Sequence, residues 1–314
     1  MKTLISEHHV LVTGANGFIG RALCHSFEER QISFLPVLRQ DDGSGRKSAL
    51  VEDINGLTDW SSILPGMSAI VHLAARVHVL KDDSNDPLTE FRRINVQGTL
   101  NLARQAVAHG VRRFIYLSTI KVNGEETYGR AFGAEDVPAP VDPYGISKLE
   151  AETGLQKIAS ETGMEVVIVR PPLVYGRGVG GNFGRLLSLV KKGVPLPVAA
   201  IRNKRSLVYV ENLCDLIRVC LTHHLAPEGI QLVSDGDDVS TPDLIRKMAQ
   251  CCERRARMVF VPVSLLRLAG RVTGYSDEIQ RLIGDLQVDG SATREKLQWQ
   301  PPFTFEQGLK RGLS

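Results

Sequence analysis

The chain has 314 residues, 43% of them apolar, so it can bury a large core without disulfide or metal staples. Its 38 Lys and Arg against 35 Asp and Glu leave a formal charge of +3, with the basic residues spread along the chain instead of gathered in a tail or stripe, which argues against nucleic acid as a partner. No stretch reaches the roughly twenty uninterrupted apolar residues of a membrane span, Met1–His9 lacks the apolar run of an export signal, and Cys24, Cys214, Cys220, Cys251 and Cys252 lack metal-ligand spacing; a cytoplasmic protein with reduced thiols and no metal is expected.

In chain order, the apolar run Val10–Thr13 leads directly into Gly14-Ala15-Asn16-Gly17-Phe18-Ile19-Gly20 and a helical pattern over Phe18–Arg30. Strand, glycine turn and helix in that order form a phosphate cradle: the first glycine permits the tight turn, the second lets backbone amides approach a pyrophosphate, and the third lets helix and strand pack closely. The next strand, Ser33–Leu38, ends on Arg39, with Asp41 and Asp42 just beyond in a loop over Asp41–Ser48. An acidic residue at this edge would bind the ribose 2′-hydroxyl of NAD, whereas an arginine accommodates the 2′-phosphate of NADP. Arg39 therefore points to NADP(H), with NAD(H) the alternative if Asp41 folds back to the ribose, and Asp53 and Ile54 are placed to flank adenine.

Further strands follow at Ala69–Leu73, Phe114–Ser118 and Val166–Val169, with helices over Thr89–His109 and Tyr144–Thr162 between them. Near-continuous hydrophobic strands alternating with helices predict an α/β fold, a doubly wound parallel sheet of Rossmann type over residues 1–170. After Arg170 come Pro171, Pro172 and four glycines up to Gly181. Shorter elements then follow: a helix near Phe183–Lys192, a strand near Leu207–Tyr209, a helix from Asn212, one opening at Thr241–Pro242 under a hydroxyl cap, and one at Thr304, where Gln307 completes a capping box. Residues 171–314 are expected to form a smaller C-terminal α/β substrate lobe, with some chain returning to the first domain.

Tyr144 and Lys148 stand four residues apart at a helix start, behind Asp142-Pro143, so both face one side. An ammonium beside a phenol favours the phenolate and brings an acid/base of ordinary pKa about 10 toward neutral working pH. Thr119, at the end of the strand Phe114–Ser118, offers a hydroxyl on the same sheet edge. Together they predict hydride transfer at a carbon–oxygen centre with Tyr144 moving the proton.

These residues resemble the extended short-chain dehydrogenase/reductases, in particular the NAD-dependent epimerase/dehydratase group that includes UDP-glucose 4-epimerase. The motifs are the opening glycines, His72-Leu73-Ala74-Ala75, Asn95, Ser118-Thr119 with Val122-Asn123-Gly124, Tyr144-Gly145-Ile146-Ser147-Lys148, Arg170 through Gly176, and Arg205 through Val210. The resemblance implies that Thr119 bonds the reacting oxygen, Tyr144 is the acid/base, Lys148 holds the nicotinamide ribose, and Leu73, Ala74, Ala75, Asn95 and Pro171 line the cofactor groove. It also implies that Asn182 and Arg205 hold the diphosphate of a UDP-sugar, and that the chain pairs as a homodimer through the helices at Thr89–His109 and Tyr144–Thr162. Leu173 stands where the epimerases carry an asparagine, and Asn123 where a tyrosine is common. Lys121 with Asn123, and the tail from Asp289 to Trp299, resemble the UDP-4-keto-6-deoxy-N-acetylhexosamine 4-reductases of surface polysaccharide synthesis, with Lys121 and Asn123 implied to touch substrate. A 4-ketoreductase is therefore expected, a UDP-hexose or UDP-N-acetylhexosamine 4-epimerase with bound NAD is the alternative, and a non-catalytic dinucleotide sensor is the distant one.

Overall fold

The computed structural model describes residues 9–43, 45–77 and 86–313; Ser44 in the predicted loop, and all of the predicted N-terminal segment except His9, lie outside the described residues. The first half contains β1 (Val10–Thr13), α1 (Phe18–Glu29), β2 (Phe34–Leu38), β3 (Ala49–Leu50), β4 (Ala69–His72), α2 (Pro87–Phe91), α3 (Thr99–Ala108), β5 (Arg113–Leu117), α4 (Pro143–Thr162) and β6 (Glu165–Arg170). The second half contains β7 (Leu173–Tyr175), α5 (Gly181–Lys191), β8 (Leu207–Tyr209), α6 (Val210–Thr222), β9 (Ile230–Leu232), α7 (Thr241–Cys251), α8 (Val263–Thr273), α9 (Ser276–Ile283), α10 (Ser291–Leu297) and α11 (Phe305–Leu313).

Among the described residues, seven strands form one parallel sheet in the order β3-β2-β1-β4-β5-β6-β9, and β7 pairs with β8 in a second, two-stranded one. The order reverses beside β1, which opens a crevice at the carboxyl edge where ligands of such sheets bind. Side-chain alternation assigns the two faces. Val10 and Val12 pack with Leu23 and Phe27 of α1, while Leu11 packs with Ile70, Phe114 and Leu102 of α3. Both faces are covered, which is why these strands read as continuous hydrophobic runs. α6 packs beside α1, and β9 joins the sheet at β6, so part of the second half returns to the first.

Two predicted helices differ from expectation. The pattern over Thr89–His109 divides into α2, a π-helical stretch over Arg92–Gly98 and α3. In this wide turn Asn95 is 1% exposed, and a Cβ at Gly98 would come within 2.9 Å of the Ile54 carbonyl oxygen. Close backbone approach, not side-chain periodicity, fixes that turn. At α7 the cap is Ser240, whose Oγ accepts from the Asp243 amide at 3.1 Å, and Thr241 is the first helical residue. At α11 the predicted capping box forms: the Thr304 amide donates to Gln307 Oε1 at 3.0 Å and the Gln307 amide to Thr304 Oγ1 at 3.3 Å.

Candidate active site

Gly14 adopts φ 68°, and a Cβ there would lie 2.7 Å from the Ala74 nitrogen and 2.9 Å from the Leu73 carbonyl carbon. The loop after β4 therefore runs against the turn after β1. A Cβ at Gly20 would overlap the Gly14 carbonyl, so α1 can begin this close to the strand only with glycine there. Gly17 caps α1 without a side-chain bond, leaving the first amides of the helix, at Phe18 and Ile19, for an anion. Asn16 is exposed, and its carbonyl accepts from Arg21 Nε at 2.8 Å. A chain stripped of side chains at these three positions fits a dinucleotide pyrophosphate.

Arg39 follows β2, exposed and in no ion pair among the described residues. Asp53, expected to flank adenine, has partners within the protein. Its carboxylate is bonded by Asn55 Nδ2 at 2.9 Å and by Arg93 Nη1 at 2.5 Å, and these partners hold its pKa below the ordinary value, Asn55 foremost. Ile54 lies against Gly98 as described.

Below the cleft a buried polar chain crosses the sheet. Thr13 Oγ1 is 2.7 Å from His72 Nδ1, and His72 Nε2 is 3.0 Å from Thr99 Oγ1. Burial first, and Lys148 second, lower the His72 pKa to about 3, so the ring is neutral. Thr13 Oγ1 also accepts from the Ala74 amide at 3.3 Å, which fixes the loop carrying Ala74 and Ala75.

The Asp142 carboxylate caps α4, accepting from the Gly145 amide at 2.6 Å, and Pro143 takes the first helical position. This sets Tyr144 in the first turn, its ring 6.1 Å from that of Phe91. Thr119 caps a short 3-10 turn, Ile120–Val122, that packs on the same turn of α4: a Cβ at Gly145 would lie 3.0 Å from the Lys121 carbonyl oxygen. Pro171 holds the turn from the other side, its carbonyl accepting from the Ile120 amide at 2.9 Å. Lys148 is 2% exposed, its Nζ 4.1 Å from the centre of the Tyr116 ring.

The electrostatics differ from the sequence expectation. Burial lowers Lys148 to about 7, against the opposing pull of Glu152, and burial together with the Asp142 carboxylate raises Tyr144 above its ordinary value. The protein alone thus favours the neutral phenol. Burial is the leading cause for both groups, because a low-dielectric surrounding penalises the charged form of each.

Other expected site residues also have partners within the protein. The amide of Asn95, expected to line the cofactor groove, is bonded within the protein: its Oδ1 accepts from the Arg76 amide at 2.8 Å, and its Nδ2 donates to the Arg76 carbonyl and to Ser147 Oγ at 3.1 and 2.9 Å. It ties the loop after β4 to α4. Asn123, expected to touch substrate, is 3% exposed and joins Arg170 Nη1, at 2.9 Å, to the Gly133 carbonyl, at 3.2 Å. Lys121 is held by Glu125 at 2.7 Å and Asp142 at 2.5 Å, which braces the α4 cap. Asn182 lies exposed in the first turn of α5. Arg205 Nη1 donates to the carbonyls of Arg281 and Gly284 at 2.8 and 3.1 Å.

Two groups escaped the sequence. Glu152 receives Ser118 Oγ and a two-pronged contact from Arg170, Nε at 3.0 Å and Nη2 at 2.5 Å, all within the core. Its position four residues after Lys148 was the available signal. Arg281, whose Nε lies 3.4 Å from Glu125 and whose charge acts on Arg205, offered no local signal because α9 comes to the site from far along the chain.

A doubly wound sheet with this turn and this Tyr-Lys helix defines an extended short-chain dehydrogenase/reductase. The profile described as NAD dependent epimerase/dehydratase family matches residues 10–232. UDP-glucose 4-epimerase of Vibrio cholerae is 45% identical over 309 residues, 96% of this chain and 93% of that one. Two solved structures share the fold: UDP-glucuronic acid 4-epimerase from Bacillus cereus in complex with NAD (TM-score 0.79, 20% identity, 97% and 95% coverage) and RMD from Pseudomonas aeruginosa complexed with NADPH (0.73, 23%, 98% of each). The chain belongs to the NAD-dependent epimerase/dehydratase family and is an enzyme of it.

Proposed function

We propose that the enzyme reduces the C4 keto group of a UDP-4-keto-6-deoxy-N-acetylhexosamine, giving a UDP-N-acetylquinovosamine-type sugar for surface polysaccharide, with NADPH as the exchangeable reductant. The observation that carries the choice of direction and cofactor is Arg39: it stands exposed where β2 ends, while Asp53, a nearby carboxylate, is already bonded by Arg93 and Asn55. A guanidinium presents paired donors to a 2′-phosphate. A phosphorylated cofactor suits exchange at every cycle, as a reductase requires.

Gly14, Gly17, Phe18, Ile19 and Gly20 would hold the pyrophosphate and Lys148 the nicotinamide ribose. A bound reduced nicotinamide supplies the hydride. Tyr144, kept as a neutral phenol by burial and Asp142, gives its proton to the C4 oxygen as that oxygen gains charge, and Thr119 Oγ1 donates to the same oxygen. The carbonyl thereby becomes an alcohol. Arg205 and Asn182 hold the diphosphate, with Arg281 beside them. Leu173, 39% exposed, presents an apolar side chain where the epimerases carry an amide. Five free cysteines fit a reducing cytoplasm. A homodimer would use the helices over Thr89–His109 and Tyr144–Thr162, the first of which borders a recess of about 640 Å³ lined by Leu57, Val96, Leu100 and Arg104; light scattering at monomer mass would remove that assembly.

The second reading is a 4-epimerase, favoured by the identity to the Vibrio cholerae protein. Mixing the enzyme with NADPH and the 4-keto sugar tests the two. Stoichiometric loss of reduced-nicotinamide absorbance supports reduction; no loss, with interconversion of UDP-N-acetylglucosamine and UDP-N-acetylgalactosamine, gives the assignment to the epimerase.

A further inference from the structure

Lys148 is a buried charge for which the protein supplies little. It is 2% exposed, and among the described residues its ammonium enters no hydrogen bond or ion pair. Glu152, one turn further along α4, is the carboxylate whose charge acts on it, but Arg170 and Ser118 Oγ occupy both oxygens of that carboxylate. Arg92 and Arg93 of the π-helical stretch are taken by Glu150 and by Asp53 with Glu90, and Lys121 of the 3-10 turn by Glu125 and Asp142. On β4, His72 stands near Lys148 as a neutral ring between Thr13 and Thr99; Tyr144, one turn back on α4, is a neutral phenol.

What the ammonium does meet is an aromatic face, with Nζ 4.1 Å from the centre of the Tyr116 ring. That ring is fixed. Tyr116 is wholly buried in β5, in register with His72 on β4 and Ile168 on β6, and its ring lies within 15° of parallel to that of His72, the centres 6.0 Å apart. The negative face of an aromatic ring attracts a cation, and the attraction is largest where water is excluded. A ring face also differs from a carboxylate: it stabilises the charge without an oxygen acceptor, so the N–H donors of the ammonium stay available for hydroxyl oxygens.

We infer that Tyr116 is a positioning residue for the catalytic pair: its ring face keeps the Lys148 side chain charged and seated over β5, with its donors free for the nicotinamide ribose and the Tyr144 hydroxyl. The inference rests on the reading that Lys148 serves that ribose and that phenol. Burial pushes Lys148 toward its neutral form and brings it down to about 7. The ring opposes that push together with Glu152. Without the ring the charge would be lost at a still lower pH, and with it one N–H donor.

Magnetic resonance of the ligand-free full chain, isotope-labelled at the lysine ε-carbon, reads the titration of Lys148 directly, its resonance identified by its loss in Lys148→Met. Phenylalanine and its progressively fluorinated forms at position 116 nearly keep the size of the ring while draining its negative face. Tyr116→Phe should titrate at the wild-type midpoint. The fully fluorinated ring should lower that midpoint by about one pH unit, with partly fluorinated rings between. The matching limb of kcat/KM against pH, with NADPH and the 4-keto sugar, should move by the same amount. Tyr116→Leu, which removes the face, should move both at least as far, its fold checked by a thermal melt. A purely structural role for the ring would not move the midpoint in steps. A midpoint that stays constant across the fluorinated series overturns the inference, and so does a Tyr116→Phe shift as large as that of the fully fluorinated ring, which would assign the effect to the hydroxyl. Turnover of Lys148→Met as fast as wild type would instead sink the catalytic reading of Lys148, and the inference with it.

Discussion

The two sides of the cleft are built differently. On the sheet side, polar groups are locked in place: Thr13, His72 and Thr99 form one chain, and Ser118, Glu152, Arg170 and Asn123 another, with Thr13, His72 and Arg170 on strands, Thr99 on α3, Glu152 on α4 and Ser118 directly after β5. On the lobe side, charged groups bond mainly to one another and to loop carbonyls, as Lys121, Glu125, Arg281 and Arg205 do, over an aromatic anchor in which Tyr175 stands 5.5–5.7 Å from Phe183, Tyr209 and Phe305. The sheet side is preorganised for one chemistry, and the lobe side can change its ligand by exchanging a few surface charges.

The largest test of that contrast is Tyr144→Phe. Loss of the hydroxyl removes the proton donor and should lower kcat/KM by about 10²–10⁴, while dinucleotide affinity, read by fluorescence titration, stays within about twofold because the cradle is built from backbone. Equal silence of wild type and variant toward every sugar nucleotide would return the chain to a sensing role.

Lys148→Met should cost at least about a hundredfold in turnover and yet stabilise the fold. The folded pKa of about 7 lies below the ordinary 10.5, so the unfolded chain binds the extra proton between those values. Wild-type stability therefore rises with pH across that window. The advantage of the Met variant should be nil above pH 10.5, grow as the pH falls toward 7 and stay constant below it, in thermal melts across that range. His72 adds a separate acid loss: its folded pKa of about 3 against an ordinary 6.5 means stability falls as the pH drops through 6.5 toward 3.

Arg39→Asp should exchange cofactor preference, lowering kcat/KM with NADPH by about tenfold or more relative to NADH, the worth of one charge-assisted contact. An unchanged ratio would place the 2′-phosphate elsewhere. On the lobe side, Gly308→Ala probes the aromatic anchor, since a Cβ there would sit 2.7 Å from Tyr175 Oη and from Tyr209 Cγ. It should cost about 1–3 kcal/mol in denaturant unfolding. Thr304→Ala, which breaks only the α11 box, should cost about 1 kcal/mol.

What the sequence disclosed follows the same division. The glycine turn, the parallel doubly wound sheet and the Tyr-Lys helix were legible because each depends on residues close in the chain: a φ of 68° at Gly14, continuous apolar strands, and a four-residue helical spacing behind Asp142-Pro143. The Thr304 box was legible for the same reason. The protein partners of Asn123 and Asn95 were not legible, because an amide near a cleft can face inward as readily as outward, and here Arg170 and the Arg76 backbone bond them. The π-helical stretch stayed hidden because its cause, the Ile54 backbone against Gly98, is a contact across the fold. Arg281 reaches the Arg205 region only through the tertiary placement of α9.

Transfer of deuterium from NADPH labelled at nicotinamide C4 tests the reaction assignment most directly. A reductase places one deuterium at C4 of each product sugar and leaves one oxidised cofactor per turnover in solution. Product sugar free of label, formed while the labelled NADPH pool stays intact, contradicts it.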